Sequence, residues 1–274
     1  MSELPKIVPD DPAAIAAELK AAYEAATGRT VYPAQAEQLL IDLCAYRESL
    51  CRAAINEAAR QNILAFARAP MLDYLGELVG VSRLPGEDDE RLRERIRLAP
   101  EHFSVAGPRL AYRYHAMSAD AAVLDVAVRS PEPGVVVLHP LGSIDGAPAM
   151  PSADLKARVL ASASAEDARP LCDTVRVEDP MDVPYTVTAR LVVYAERDAE
   201  TVRQAALAAV TAFCASKASS LGNDIARSAL IAALHVAGVK RVTLDAPAAD
   251  IAADAHHWTH ATAIAVTVEG VEDA

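Results

Sequence analysis

The chain has 274 residues, a formal net charge of −12 and a pI near 5.0, which argues against a nucleic-acid-binding protein and against a protein of anionic membrane surfaces. Hydrophobic residues make up 52% of the chain but aromatic residues only 4%, so we expect a core of Ala, Val, Leu and Ile spread over about two domains. No apolar run approaches the length of a membrane span, and the first residues lack the apolar core of a signal peptide. We therefore expect a soluble protein that is made in the cytoplasm.

The four cysteines predict no metal site and no disulfide framework. Cys44, Cys51, Cys172 and Cys214 show neither CxxC spacing nor a zinc-ligand pattern. We expect all four to be reduced and to pack as small buried hydrophobic side chains.

Two helices are predicted before residue 70. The first starts at Pro12, is capped by Asp10 or Asp11, and ends at Gly28. The second begins at Pro33 and has no Pro or Gly before Pro70, which predicts a rod of roughly 50 Å.

The rod carries two adjacent apolar rows. One row is Leu39, Leu43, Tyr46 and Leu50, and the other is Leu40, Cys44, Cys51, Ile55 and Ala58. We expect a short helix of the same chain to cover one side and a second chain to cover the other, although a long core helix of a monomeric bundle would show a similar pattern. The predicted partner-interface residues are Leu39, Leu43, Tyr46, Leu50, Cys51 and Ile55.

A charged helix is predicted further along. A short helix first buries Leu72, Leu75 and either Leu78 or Val79, and the chain then breaks at Pro85-Gly86. The next helix has an acidic first turn and holds Arg93, Arg95 and Arg97 in its later turns, as the helix dipole favours. We interpret this charge run as a solvated face, and pairing of residues 91–97 with an acidic partner is the alternative.

The remaining elements predict two small mixed modules. A helix at 108–118 precedes β-branched runs at 122–130 and 134–141, a loop at 142–151, a helix capped by Ser152 and one more strand. The last part follows the order β-α-α-β-β, and its first strand places Tyr185, Val187, Ala189, Leu191 and Val193 on one face. The predicted fold class is α+β, with a long-helix N-terminal bundle region at 1–105, an α+β middle domain at 106–180 and a C-terminal α+β domain at 181–274.

Several segments, taken in order, resemble the baseplate J protein family of contractile phage tails and tailocins. They are RTVYPAQAEQLLIDLCAYRESLCRAAINEAARQNILAFA with LDYLGELVGVSRLPGE, the stretch from RERIRLAPEHFSVAGPRLAYRYH to VVVLHPL, IDGAPAMPSADLKARVLASASAEDARPLCDTVRV, and LGNDIARSALIAALHVAGVKRVTLDAP. A single segment would be weak, but the ordered combination covers most of residues 29–250.

The resemblance implies a structural wedge subunit of the baseplate. Two copies would combine with one I-type wedge protein through bundled long helices, and the α+β parts would link wedges into a six-fold ring around the central hub and spike. A lysozyme-like-fold sheath-initiator protein would bind the helical part, and the ring would transmit the contraction trigger to the sheath. The resemblance implies no enzymatic activity and no cofactor, with assembly in the bacterial cytoplasm and a final place in the virion tail.

The sequence offers few candidates for chemistry. His256, His257 and His260 are the best metal candidates, but they lie outside any HExxH pattern, so we expect no metal and an exposed turn or strand start anchored by Trp258. We predict no catalytic and no cofactor-binding residues. A small α+β enzyme or metal-binding module, which would show a deep pocket with convergent titratable groups, and a free monomeric binding module are the alternatives.

Overall fold

The computed structural model describes residues 6–103, 107–165 and 168–273, and it confirms an α+β fold. The chain forms two compact units, Met1–Ser82 and Arg83–Ala274. The predicted boundary between residues 105 and 106 lies outside the described residues, and the three-part division stays a prediction. Within the described ranges, no helix is long and apolar enough to cross a membrane.

The first unit contains three helices, which are α1 (Pro12–Thr27), α2 (Ala36–Gln61) and α3 (Met71–Glu77). Asp11 caps α1 by accepting a hydrogen bond from the Ala13 amide at 3.1 Å. The helix ends at Gly28, whose φ of 66° lies in the left-handed region that favours glycine. Both ends of α1 are therefore where the sequence predicts them.

The long helix α2 is shorter than predicted. It has 26 residues, so it extends about 39 Å. Its start is delayed because residues 32–35 form a turn in which the Gln35 side chain accepts the Tyr32 amide hydrogen at 3.0 Å. After Gln61 the amides of Phe66 and Ala67 both donate to the Ile63 carbonyl, so the chain turns without any Pro or Gly.

The second unit begins with two helices, α4 (Asp89–His102) and α5 (Arg109–Ser118), and continues with a four-stranded sheet and a helix. The sheet elements and helix are β1 (Val123–Glu132), β2 (Val135–Ile144), β3 (Ala147–Ala149), α6 (Ala153–Ala163) and β4 (Thr174–Val177). β2 pairs antiparallel with β1 and β3, and parallel with β4. Ser152 caps α6 as predicted, by accepting the Leu155 amide hydrogen at 3.1 Å.

The predicted loop at 142–151 is wrong, because β2 continues to Ile144 and returns as β3. The two strands meet at Asp145 and Gly146, whose φ values of 52° and 80° are typical of a two-residue hairpin turn. An Asp-Gly pair is typical of such a turn, but the predicted loop left out the strands on either side of it. The short, Pro-containing sequence of β3 hides it from pattern reasoning.

The solvated face predicted for the arginines of α4 is wrong for Arg93 and Arg95, whereas Arg97 is exposed as predicted. Arg91, Arg93 and Arg95 are buried, and Glu87 lies buried between Arg91 and Arg95. The Arg91 guanidinium also donates to the backbone carbonyls of Val123, Met117 and Asp120. These bonds tie α4 to α5 and β1, so the arginines serve the interior of the unit and the alternative of an acidic partner is contradicted for Arg91 and Arg95.

The C-terminal module has the predicted order, with β5 (Met181–Tyr194), α7 (Ala199–Ala218), α8 (Arg227–Leu234), β6 (Val239–Ala246) and β7 (His257–Glu272). β5 is central, antiparallel to β6 and parallel to β7. The predicted inner face of β5 is confirmed, since Tyr185, Val187, Ala189, Leu191 and Val193 are all buried in one core. α8 ends at Leu234 and not at Gly238, which lies in the turn before β6.

Candidate partner interface

The buried face of α2 is neither of the two predicted apolar rows. The buried residues are Ile41, Ala45, Ser49 and Asn56, and α1 contributes the buried Ile15 to the same unit. Ile41, Ala45 and Ser49 are spaced four residues apart, so they lie on one side of the helix. The sequence reasoning missed this face because Ala and Ser give only a weak apolar signal.

Asn56 fixes the N-terminal segment against α2. Its Oδ1 accepts the amide hydrogens of Ile7 and Val8 at 3.0 Å, and its Nδ2 donates to the Val8 carbonyl at 2.8 Å. Arg52 donates to the Pro9 carbonyl at 3.1 Å. The polar end of the inner face therefore binds the backbone of residues 7–9 and not an apolar helix.

The predicted partner-interface residues form a stripe that is exposed in this chain. Leu39 is 67% exposed and Leu43 58%, and the other members of the stripe are also exposed: Tyr46, Leu50, Cys51 and Ile55. Leu40, of the second row, is 62% exposed. The expectation that a short helix of the chain covers one row is wrong, because α1 packs on the face of Ile41 and Ala45. The monomeric-bundle and free-module alternatives, which need both rows covered, are contradicted for the described residues.

An open apolar groove adjoins this stripe. It has a volume of about 320 Å³ and lies between α1 and α2, lined by Leu19, Tyr23, Glu37, Leu40, Ile41 and Cys44. Tyr74 of α3 and Leu78, which follows that helix, are also exposed, whereas Val79, the other member of the predicted pair, is half-buried. Exposed apolar surface of the kind seen on α2 marks protein-binding sites in soluble proteins.

The burial predicted for the cysteines is wrong for three of them in this chain. Cys44, Cys51 and Cys172 are exposed, and only Cys214 is buried. Cys44 and Cys51 sit on the outward rows of α2, which explains the error, since those rows were expected to be covered. All four cysteines are free.

The C-terminal module has its own open surfaces. Ala206 packs in the core against the sheet, whereas Ala205 and Ala208 face outward on α7. β6 and β7 are the two edges of the three-stranded sheet, so β6 is an edge strand as Pro247 indicates.

Two charged groups of a groove on the second unit are paired with each other. In a groove of about 310 Å³ on the second unit, Arg113 lies 3.0 Å from Asp125, whose other oxygen accepts the Leu221 amide hydrogen at 2.9 Å. A second groove, of about 270 Å³ beside α7 and β7, is largely apolar. Burial raises the pKa of the Tyr185 hydroxyl and of the neighbouring Cys214 thiol, so both groups are held in their neutral forms.

The histidine segment starts β7 as predicted, with Trp258 as its anchor. Trp258 is buried and its Nε1 donates to the Ala218 carbonyl at 2.9 Å. His260 stacks on the Trp258 ring, with 4.1 Å between ring centroids. His256 and His257 lie instead beside Asp254, and their potential ligand atoms fall within 4.8 Å of one another.

Family models and a phage protein of known identity match most of this chain. Family models described as the Baseplate J-like N-terminal, central and C-terminal domains match residues 37–86, 104–179 and 185–267. Baseplate protein J of Escherichia phage P2 is 37% identical over 249 residues, which cover 85% of this chain and 82% of that protein. The chain belongs to the baseplate J family. A chain in the 6-fold symmetrised cryo-EM structure of the anti-feeding prophage baseplate matches with a TM-score of 0.44 and 17% identity, over 66% of this chain and 43% of that one.

Membership of the baseplate J family confirms the predicted resemblance and supports a structural component of a tail baseplate. The N-terminal family model includes all six predicted partner-interface residues, between Leu39 and Ile55. The C-terminal model includes most of β5, both helices of that module and most of β7.

Proposed function

We propose that this chain is a non-enzymatic wedge subunit of a contractile tail, joined to its partners through the outer face of α2. The observation that carries the proposal is the exposed stripe of Leu39, Leu43, Tyr46 and Leu50. Burying a Leu or similar side chain is favourable by about 1.5–3 kcal/mol, so leaving four large side chains in water is costly unless a partner covers them. A second copy of this chain and an I-type wedge protein are the proposed partners, with a lysozyme-like-fold sheath initiator also on the helical unit.

We further propose that the C-terminal module links wedges into a six-fold ring around the hub and passes the contraction trigger to the sheath. Its two edge strands and the outward alanines Ala205 and Ala208 support this role, because unpaired strand edges and small-residue faces admit close approach of another chain. Assembly in the bacterial cytoplasm before incorporation into the tail completes the proposal.

The helical contact is tested by the double substitution Leu43→Asp with Leu50→Asp, in cells that co-express the other wedge protein. Both residues are exposed, so the chain should fold normally, and the charges should abolish copurification because they would be buried unpaired at the interface. The matched control is Leu171→Asp, which changes a 95% exposed leucine outside the helical unit. Normal copurification of the double variant would contradict the proposed interface.

The ring contact needs substitutions and not a truncation, because the middle and C-terminal modules belong to one compact unit. We expect Ala205→Arg with Ala208→Arg to leave wedges intact but to prevent closed rings in negative-stain images. Ala157→Arg with Ala161→Arg changes two exposed alanines of α6 and serves as the control. Closed rings from the α7 variant would sink the assignment of ring contacts to this face.

A further inference from the structure

A group of histidines gathers where the middle sheet meets the start of β7. His256 and His257 belong to the C-terminal module, with 4.7 Å between their ring centroids, and Asp254 lies within reach of both. His139 comes from β2 of the middle sheet, and its ring centroid is 5.2 Å from that of His256. Sequence spacing could not bring these groups together, because His139 is more than a hundred residues away from the others.

The hydrogen bonding of His139 is that of a preoriented metal ligand. It is only 4% exposed, and its Nδ1 donates to the Asp179 carbonyl at 3.0 Å. This bond fixes the tautomer and leaves a lone pair on Nε2, which is buried and has no hydrogen-bond partner among the described residues. Metal-ligating histidines characteristically donate their other ring N–H to a carbonyl or carboxylate in this way.

The same short segment of chain positions both sides of the cluster. Asp179 holds His139, and two residues later the Met181 amide donates to the His256 carbonyl at 3.0 Å. The backbone on both sides of the His139–His256 contact is therefore fixed by hydrogen bonds from residues 179 and 181.

We propose that His256, His257 and Asp254, with His139 as the buried fourth member, bind one divalent transition-metal ion of the zinc type. Imidazole nitrogens with one carboxylate suit Zn²⁺, Ni²⁺ or Cu²⁺, whereas Mg²⁺ and Ca²⁺ prefer oxygen ligands. The ion would join the middle and C-terminal modules through side chains of β2 and of the segment before and into β7. This site is independent of the proposed wedge contacts, and it differs from the sequence-based expectation because His260 leaves the group to stack on Trp258.

Two hydrogen bonds to the histidine nitrogens would compete with binding of the metal ion. The exposed Arg129 donates from Nη1 to Nε2 of His256 at 3.2 Å, so the guanidinium competes for the lone pair that an ion would take. His257 accepts the Asp254 amide hydrogen on Nδ1 at 3.1 Å, and binding through its Nε2 would require the proton to move to Nδ1 and break this bond. We therefore expect His257 to be the weakest of the four ligands.

The test is titration of the untagged full-length chain with Zn²⁺ by calorimetry, and with Co²⁺ by its visible absorption bands. We expect one ion per chain, and at least about a tenfold loss of affinity in His256→Gln, His139→Gln and Asp254→Asn. Asp254 is exposed, so its variant keeps the test valid should the buried His139 variant fail to fold. The control His235→Gln, an exposed histidine on the loop after α8, should bind as the parent does.

Arg129→Gln distinguishes a metal site from a merely packed histidine cluster. Removing the competing guanidinium should tighten Zn²⁺ binding, whereas a cluster without metal affinity would show no change. The proposal is overturned if no stoichiometric binding occurs, if Asp254→Asn and His256→Gln bind as the parent does, or if His235→Gln loses as much affinity as they do.

Discussion

Removal of the buried negative charge at Glu87 is the sharpest test of how the second unit is held together. The Glu87 side chain is 0% exposed, and its two carboxylate oxygens pair with Arg91 and Arg95, which are 7% and 5% exposed. One of those oxygens also accepts the Leu84 amide hydrogen at 2.9 Å. Glu87→Gln keeps the shape of the side chain and removes only the charge, so two buried guanidinium groups would lose their counter-ion.

The size of the effect follows from what remains around the arginines. Breaking a buried ion pair typically costs 3–5 kcal/mol. Arg91 keeps three backbone carbonyl acceptors and Arg95 keeps the Ser118 hydroxyl at 3.2 Å, so we expect the low end, about 3 kcal/mol. For a unit of this size, that loss corresponds to a fall in Tm of about 6–12 °C.

The chain has one tryptophan, Trp258, and it is buried in the second unit. Urea unfolding followed by tryptophan fluorescence therefore reports on that unit alone. The control is Glu269→Gln in the same unit, whose side chain is 40% exposed and pairs with the 43% exposed Arg190, and we expect it to change stability by less than about 1 kcal/mol. A loss no larger for Glu87→Gln than for Glu269→Gln would refute the argument that this buried charge holds α4 in place.

Three further results are expected, two from the isolated chain and one from its comparison with the assembled baseplate. Leu191→Ala, in the centre of β5, should cost about 2–5 kcal/mol in the same urea assay because it leaves a cavity in a fully buried core. Asn56→Ala should release residues 6–10, measured as faster amide hydrogen exchange of Ile7 and Val8, because their amides lose their acceptor. Cys44 and Cys51 should react quickly with a thiol reagent in the free chain and slowly in the assembled baseplate, whereas Cys214 should react only on unfolding. The first prediction would be contradicted by a loss of stability below about 1 kcal/mol for Leu191→Ala. The second would be contradicted by unchanged amide exchange in Asn56→Ala, and the third by equal thiol reactivity of the free and the assembled chain.

The central strand of the C-terminal module could be predicted because its apolar and polar residues alternate for one reason, which is that only one of its faces packs against a core. Tyr185, Val187 and Leu191 face one packed core, while Thr186 and Thr188 between them are exposed. In α2 the same kind of reasoning located the outward apolar rows but missed the face that packs within the chain. The face that packs within the chain carries Ala45, Ser49 and Asn56, whose contacts depend on α1 and on distant backbone.

The charged helix α4 shows what periodicity cannot reveal. A run of arginine and glutamate has the same composition whether it is solvated or internally paired, and only the placement of carbonyl groups from α5 and β1 makes burial of Arg91 possible. The histidine group has the same origin, since His139 of β2 and the distant His256 come together only in the folded unit. The single-sequence signals that do exist, such as the Glu87 to Arg91 separation of four residues, fit a surface pair equally well.

The second unit buries charged arginines and the first unit exposes large leucines, but only the arginines are compensated by partners within the chain. The buried arginines of the second unit find carboxylate and carbonyl acceptors, so their desolvation is compensated where they lie. The exposed leucines of α2 have no such compensation among the described residues, because apolar surface in water can be compensated only by burial. The same helix binds its own chain through a partly polar face, which leaves its most hydrophobic side chains pointing outward. A folding requirement alone would select the opposite arrangement, so the orientation of α2 itself favours a protein that completes its hydrophobic surface on assembly.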